Sequence, residues 1–366
     1  MIPGRATGAG TRAFSERAGV DPAHFRSAAG VRLSSIGLGT YLGEEDDATD
    51  RGFEECAAIA LSSGVNVFDS AVNYRGQRSE RAIGRALARA RADGRIARED
   101  VFVATKGGFL PHDGEDPRDA ETQVREKYFD SGLLAPADLA AGCHAMTPAF
   151  LAAMINCSRE NLGLETIDLY YLHNPETQLQ AVPRAAFEGR LRAAIEALES
   201  ACGEGRIAAW GVATWDALRV PEAHPAHLSL AGLVDAARDV AGPGHHFAGV
   251  QAPLNLAMPQ AVGYPSQTIG GKALPLADAA AELGLALFAS ASILQGRLAA
   301  ADLPPEIDVL FAGVPAGARR ALQFPRSAGG VASALVGVSN PEHARETLGL
   351  ARLPPASPAA ISRLFG

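Results

Sequence analysis

"GVNVFDSAVNYRGQRSERAIGRAL", residues 64 to 87, holds three kinds of signal in one short stretch. Val65, Val67 and Phe68 make an apolar run that ends in Asp69, and Tyr74 follows five residues later. A basic, polar turn then leads into a helical pattern near residues 79 to 91. A strand buried on both faces reads as a nearly continuous apolar run, and parallel strands need a helical crossover between them. This stretch is therefore one strand-turn-helix unit with an acid and a phenol at the strand's C-terminal end.

The same unit recurs along the chain. "VRLSSIGLG" precedes a helix near 50 to 63, "VFVATKGG" one near 148 to 162, and "TIDLYYLH" one near 189 to 203. "IAAWGVATW", "GVQAPLNL", "LALFASAS" and "SALVGVS" lead into helices near 227 to 240, 275 to 283, 317 to 323 and 341 to 350. Eight strands, each trailed by a helix, predict an α/β protein built as a closed (β/α)8 TIM barrel. Gly64 and Gly163 stand where helices should stop, while Thr147-Pro148 and Asn340-Pro341 place a capping residue before a first-turn proline. We expect residues 1–366 to form a single barrel domain, with residues 1–30 as an extension whose first dozen residues are a frayed tail. Residues 109–146, after the third strand, far exceed the roughly 2–6 residues of an ordinary βα connection. Because βα loops line the catalytic face of a barrel, this insertion is expected to be a substrate lid.

Composition narrows the function. Of 366 residues, 47% are hydrophobic and 20% charged, with a net charge of -8. That balance argues against a nucleic-acid partner. No apolar run reaches the roughly 18 residues of a membrane span, so a soluble, cytoplasmic protein is expected. Cys56, Cys143, Cys157 and Cys202 are scattered, without a CxxC pair, and read as reduced thiols, mostly buried or inert. Cys143-His144, His245-His246 and His224 with His227 make no convincing ligand set, and no metal is expected.

Reading only strand ends, the second offers Asp69 and Tyr74, the third Lys106 and the fourth His173. Each alone has a structural explanation, but adjacent barrel strands bring them within reach of one another. A phenol is a poor proton donor at neutral pH, and a nearby ammonium lowers the cost of its ionised form. Lys106 is placed to act in this way, Asp69 would serve as its counter-ion, and a neutral His173 would orient a bound carbonyl. Such a site protonates a carbonyl oxygen, so a nicotinamide must bring hydride to carbon. There is no GxGxxG between a strand and a helix to suggest a Rossmann site. The loops after strands seven and eight, "ASASILQGR" (289–297) and "GVSNPEHARE" (337–346), are suited to phosphate instead.

With these motifs in order, "IGLGTYLG", "GVNVFDSAVNYRGQRSERAIGRAL", "VFVATKGG", "NLGLETIDLYYLHNPE", "GRIAAWGVATW" and "LVGVSNPEHARETL", the chain resembles the aldo-keto reductases from about residue 31 to residue 351. The resemblance implies an NADPH-dependent reductase of aldehydes or ketones, or oxidation of the alcohol, with Asp69, Tyr74, Lys106 and His173 as the catalytic tetrad. NADPH is the expected cofactor, with NADH as the alternative. Cofactor contacts are implied at Gly39, Thr40, Thr214, Gln251, Ser290, Ser292, Gln295, Gly296, Arg297, Ser339, His343 and Glu346. Ala213-Thr214 stands where the family commonly has Ser-Asn. Ser290 stands where many members stack an aromatic ring, and Gly337 where many have a lysine for the 2′-phosphate. Arg297 and Arg345 are the guanidinium groups left to meet that phosphate. Tyr41, Phe109 and Trp215 match positions that wall the substrate pocket. Two other readings are a cofactor-binding regulatory or interaction protein of the same fold with little turnover, and a lyase using Lys106 as a Schiff-base nucleophile. Substrate identity, direction and oligomeric state do not follow from the sequence.

Overall fold

The structure is a computed structural model that describes residues 1–365. Eight parallel strands close into a barrel. In chain order they are β1 (Ile36–Gly39), β2 (Val67–Asp69), β3 (Phe102–Gly107), β4 (Leu169–His173), β5 (Trp210–Ala213), β6 (Phe247–Pro253), β7 (Ala286–Ser290) and β8 (Val331–Gly337). The helices that follow them are α1 (Asp47–Ser62), α2 (Arg78–Ala92), α3 (Pro148–Leu162), α4 (Arg184–Gly203), α5 (Leu230–Ala241), α6 (Leu276–Glu282), α7 (Ala318–Ser327) and α8 (Pro341–Leu348). The TIM barrel expected from the alternating pattern is what the chain forms.

Local chemistry sets the helix ends. Thr147 accepts a hydrogen bond from the Phe150 N–H at the start of α3, and Asn340 accepts from Glu342 and His343 at the start of α8. Gly163 ends α3 at φ 65°, a left-handed conformation that costs glycine little.

Two apolar regions hold the barrel. One lies between the strands and their helices, where Trp210, fully buried, stacks on Phe247 at 4.5 Å between ring centroids and donates its indole N–H to Glu199 (2.6 Å). The other fills the barrel's interior with Val67, Ala104, Tyr171, Phe288 and Leu335, among others. Side chains alternate along a strand, so the residues two positions further on point inward one layer higher. Those residues are Asp69, Lys106, His173, Ser290 and Gly337. The polar strand ends thus form the next layer of the interior, above an apolar floor.

The N-terminal segment differs from the expectation. "VRLSSIGLG" is not one strand: Val31–Ser34 pairs with Phe25–Ala28 as an antiparallel hairpin, and only Ile36–Gly39 enters the barrel. Nor are the first residues a frayed tail. Gly8–Arg17 is a helix capped by Thr7, and Ala6 N–H donates to Asp168 Oδ1 (2.6 Å). Asp168 also accepts from Arg98 (2.7 Å) and from the Val103 N–H (2.8 Å), so a buried ion pair ties this segment to the lower end of β3 and β4. These are long-range contacts with no local periodic signal.

The insertion is ordered and carries a core of its own. Tyr128 and Leu134 pack with Ala145 and with Phe150 and Met154 of α3. Tyr128 donates its hydroxyl proton to the Pro111 carbonyl (2.7 Å). Among the described residues, no helix is long and apolar enough to cross a membrane. The four cysteines are free thiols: Cys56 is buried, Cys157 and Cys202 are half-buried, and Cys143 is exposed on the insertion.

Candidate active site

At the C-terminal ends of β2 and β3, Lys106 Nζ donates to Asp69 Oδ1 (2.6 Å) and to the Ser70 carbonyl (2.8 Å). Gln251, from β6, donates to the other Asp69 oxygen (2.8 Å). Burial pushes the Asp69 carboxyl up, against the charge of Lys106 and the bonds from Lys106 and Gln251. Burial also disfavours the Lys106 ammonium, but the charge of Asp69 and the hydrogen bond to it outweigh that penalty, and the net direction is up. The two tendencies pull one proton in opposite directions. With both carboxyl oxygens accepting hydrogen bonds, the proton belongs on Lys106 and the pair is ionic.

Tyr74 lies beside this pair. Lys106 Nζ sits 4.8 Å from the centre of its ring, and the His173 ring meets it edge-on with centroids 5.9 Å apart. Lys106 is not the largest influence on the phenol. Burial raises the phenol above its ordinary value, with Lys106 lowering it and Asp69 raising it. At rest Tyr74 therefore carries its proton. His173 is held well below the usual imidazole range by burial, then by Lys106 and His144, and is neutral as expected.

These groups open onto a cavity of about 540 Å³. Its wall includes Asp69, Tyr74 and His173, with the apolar side chains of Tyr41, Phe109 and Trp215. Lys106 is fully buried and lies outside that wall. Tyr41 meets the Tyr74 ring edge-on at 5.0 Å, and Tyr41 and Trp215 are 56% and 43% exposed, so they stand at the cavity's mouth.

Of the expected cofactor contacts, Gly39, Thr40, Thr214, Gln251, Ser290, Ser292 and Gln295 share this cavity. Thr214 Oγ1 is buried there without a hydrogen-bond partner, which suits it to a ligand amide. Gln251 is engaged with Asp69, so it serves the tetrad as well as the cavity wall. Gly296, Arg297, Ser339, His343 and Glu346 lie outside the cavity. Glu346 faces Arg319 at 3.6 Å. Arg297 and Arg345 are exposed and form no ion pair among the described residues. The loop after β7 holds Ala291, Leu294 and Gln295 at φ 51°, 50° and 54°, a costly backbone for non-glycine residues that clusters at functional sites.

Sequence reasoning missed several wall residues. Asn73 lines the cavity with its Oδ1 buried and unpartnered, and Asn174 lines it at φ 44°. The position of Asn73, immediately before Tyr74 in the same turn, was the available signal. Glu176 was also missed. Its Oε1 accepts from the Trp215 N–H (3.1 Å), its Oε2 is buried without a partner, and burial pushes its carboxyl up to about 7. Among the described residues no group of three or more His, Cys, Asp or Glu side chains is arranged to hold a metal ion.

The barrel brings a buried Asp-Lys pair, a tyrosine and a histidine together at its C-terminal mouth. The profile of the Aldo/keto reductase family matches residues 35–234, and the chain belongs to that family. A D-threo-aldose 1-dehydrogenase from Pseudomonas sp. is 29% identical over 194 residues, covering 51% of this chain and 51% of that protein. A putative voltage-gated potassium channel subunit beta from Schizosaccharomyces pombe is 24% identical over 209 residues, covering 56% of this chain and 48% of the relative. The chain thus spans about half the length of these curated relatives. Among solved structures, an aldo/keto reductase from Klebsiella pneumoniae in complex with NADP and acetate superposes with a TM-score of 0.59 at 19% identity, over 92% of this chain and 93% of that one. The glycerol dehydrogenase from Gluconobacter oxydans gives 0.59 at 20% identity, over 90% of each chain. These likenesses are of fold.

Proposed function

We propose that this protein is an NADPH-dependent oxidoreductase that interconverts a small carbonyl compound and its alcohol, working as one barrel unit with Tyr74 as the proton donor and acceptor. The observation that carries this reading is the Lys106 ammonium, paired with Asp69 and 4.8 Å from the centre of the Tyr74 ring, behind a cavity whose wall holds Asp69 and Tyr74 and is otherwise uncharged.

The cavity residues fit a nicotinamide cofactor. Thr214 Oγ1 is free to meet the carboxamide, and small residues at Ala213, Ser290 and Gly337 leave the cavity's floor open. Arg297 and Arg345 are the cations for a 2′-phosphate, in keeping with the NADP and NADPH bound by the similar Klebsiella reductases. When bound, the cofactor supplies or accepts the hydride at the carbonyl carbon.

The chain's own residues do the rest. His173, neutral, orients the carbonyl oxygen toward the Tyr74 hydroxyl. Tyr74 gives its proton as negative charge develops on that oxygen, and the adjacent Lys106 ammonium stabilises the phenolate left behind. Asp69 keeps Lys106 charged, and Gln251 keeps Asp69 in place. Phe109, Tyr41 and Trp215 shield the reacting carbonyl from water. The Schiff-base reading is disfavoured because Lys106 is an ion-paired ammonium outside the cavity wall. The yeast relative's name keeps the binding-protein reading distinct.

The test is direct: follow NADPH and NADH separately with a panel of aldehydes, ketones and sugars. Turnover of at least one carbonyl with NADPH preferred supports the proposal. Tight cofactor binding with no oxidation across the panel overturns it in favour of the binding protein.

A further inference from the structure

We infer that the 109–146 insertion is a fixed brace rather than a lid, and that His144 is the positioning residue through which it sets the backbone of His173 and the ring of Phe109. The inference rests on the oxidoreductase reading for its kinetic consequence, though not for its geometry.

Both ends of the insertion are fastened. At the near end, Gly114 N–H donates to the Gly76 carbonyl (2.9 Å), Gln77 donates to the His112 carbonyl (2.8 Å), and Arg81 forms a two-pronged ion pair with Asp113 (2.7 and 2.8 Å). Gly76 and Gln77 belong to the turn that carries Tyr74. At the far end, Leu110 N–H donates to the Cys143 carbonyl and Ala145 N–H to the Gly108 carbonyl, both at 2.8 Å. A lid would need these contacts to break together. Of the whole insertion, only Phe109 reaches the cavity wall.

His144 is fully buried at the far end. Its Nε2 lies 2.7 Å from the His173 carbonyl oxygen. A carbonyl only accepts, so Nε2 carries the proton and Nδ1 is the acceptor. The Gln178 amide donates to that Nδ1 (2.9 Å) and to the His144 carbonyl (3.0 Å), and Arg190 in turn donates to the Gln178 oxygen. Every polar atom of the ring is used, and the tautomer is fixed by its partners. The Phe109 ring stands edge-on between His144 and His173, with centroids 5.1 and 5.0 Å away. Space is tight: a Cβ on Gly108 would lie 2.7 Å from the His173 carbonyl oxygen and 2.8 Å from His144 Nε2. A structural core histidine needs only satisfied nitrogens. This one spends its single proton on the main chain of the residue proposed to orient the substrate.

The experiment compares His144→Ala, His144→Gln and Gln178→Leu with the unaltered protein. His144→Ala should lower kcat/KM about 10–100-fold for the best carbonyl, as expected when a catalytic group loses its placement, with the NADPH dissociation constant changed by less than about 3-fold. His144→Gln, whose amide can donate to the same carbonyl, should recover most of that loss. Gln178→Leu keeps the imidazole but frees its tautomer, and should fall between the two; it serves if His144→Ala fails to fold. Histidine ring NMR gives a readout that needs no turnover: the His173 resonances should shift in His144→Ala and return in His144→Gln. Loss of thermal stability with unaltered kcat/KM in the folded fraction and unmoved His173 resonances would overturn the assignment. Absence of turnover in the unaltered protein would count against the oxidoreductase reading alone, leaving the NMR comparison to decide the brace.

Discussion

Lys106 Nζ lies 2.6 Å from Asp69 Oδ1 and 4.8 Å from the centre of the Tyr74 ring, both charged side chains almost wholly buried. Two charges in such a place are stabilised chiefly by each other, and removing one strands the other. Lys106→Met should therefore lower stability by about 3–5 kcal/mol in urea unfolding. Adding Asp69→Leu should return part of the loss by removing the stranded carboxylate. A double variant less stable than Lys106→Met alone would show that the two are not paired as described.

Glu176 predicts a pH dependence of stability. Its folded carboxyl is raised from 4.5 to about 7 by burial, so between these values the native state holds a proton that the unfolded chain has released. Stability then falls as pH rises through that window, by about 3 kcal/mol in all, and levels above it. Glu176→Gln should flatten this slope. An unchanged pH profile in the variant would assign the slope to another group.

The ion pair under the barrel separates stability from activity. Asp168 accepts from Arg98, Ala6 and Val103 far from the tetrad. Asp168→Ala should cost about 3–5 kcal/mol by leaving Arg98 without its partner. Below its melting temperature the variant should keep kcat and KM within about 2-fold. A selective loss of kcat would show that this end of the barrel communicates with the site.

Trp215 is 43% exposed at the cavity's mouth. Burying about half of that remaining face against substrate is worth about 1.4 kcal/mol, so Trp215→Ala should raise KM roughly 10-fold. Because this contact exists before and during reaction, kcat should change little. Steady-state kinetics would reject the role if kcat fell and KM held.

The barrel was legible because strands buried on both faces must read as apolar runs, and each here is followed by a helix with recognisable caps. The tetrad was legible for a related reason: Asp69, Lys106 and His173 each end such a run, where a polar residue is out of place. The first strand was misread because Ser34 and Ser35 carry no turn signal, although the chain leaves the hairpin there to enter the barrel. The N-terminal helix is anchored by Ala6 N–H on Asp168 and by Thr7 N–H on the Glu99 carbonyl (3.2 Å), distant partners with no trace in local composition. His144 and Glu176 act through main-chain atoms of His173 and Trp215, and nothing in a one-dimensional pattern marks such contacts. The cofactor side was legible only in part. Residues on strand ends, such as Thr214 and Gln251, fell where expected, whereas the loop positions Ser339, His343 and Glu346 depend on a backbone path that residue types alone do not determine.

The central claim is that Tyr74 transfers the proton, and Tyr74→Phe removes that proton while keeping the ring. Burial holds the phenol above its ordinary range, so the intact acid is protonated throughout the neutral region and kcat for carbonyl reduction should be flat there. The decisive measurement is the single-turnover rate of NADPH oxidation by Tyr74→Phe with a carbonyl the unaltered protein reduces, alongside the NADPH dissociation constant. The account predicts a loss on the order of 10²–10⁴-fold in rate with binding changed by less than about 3-fold. A rate within a few-fold of the unaltered protein, at equal cofactor binding, would contradict it.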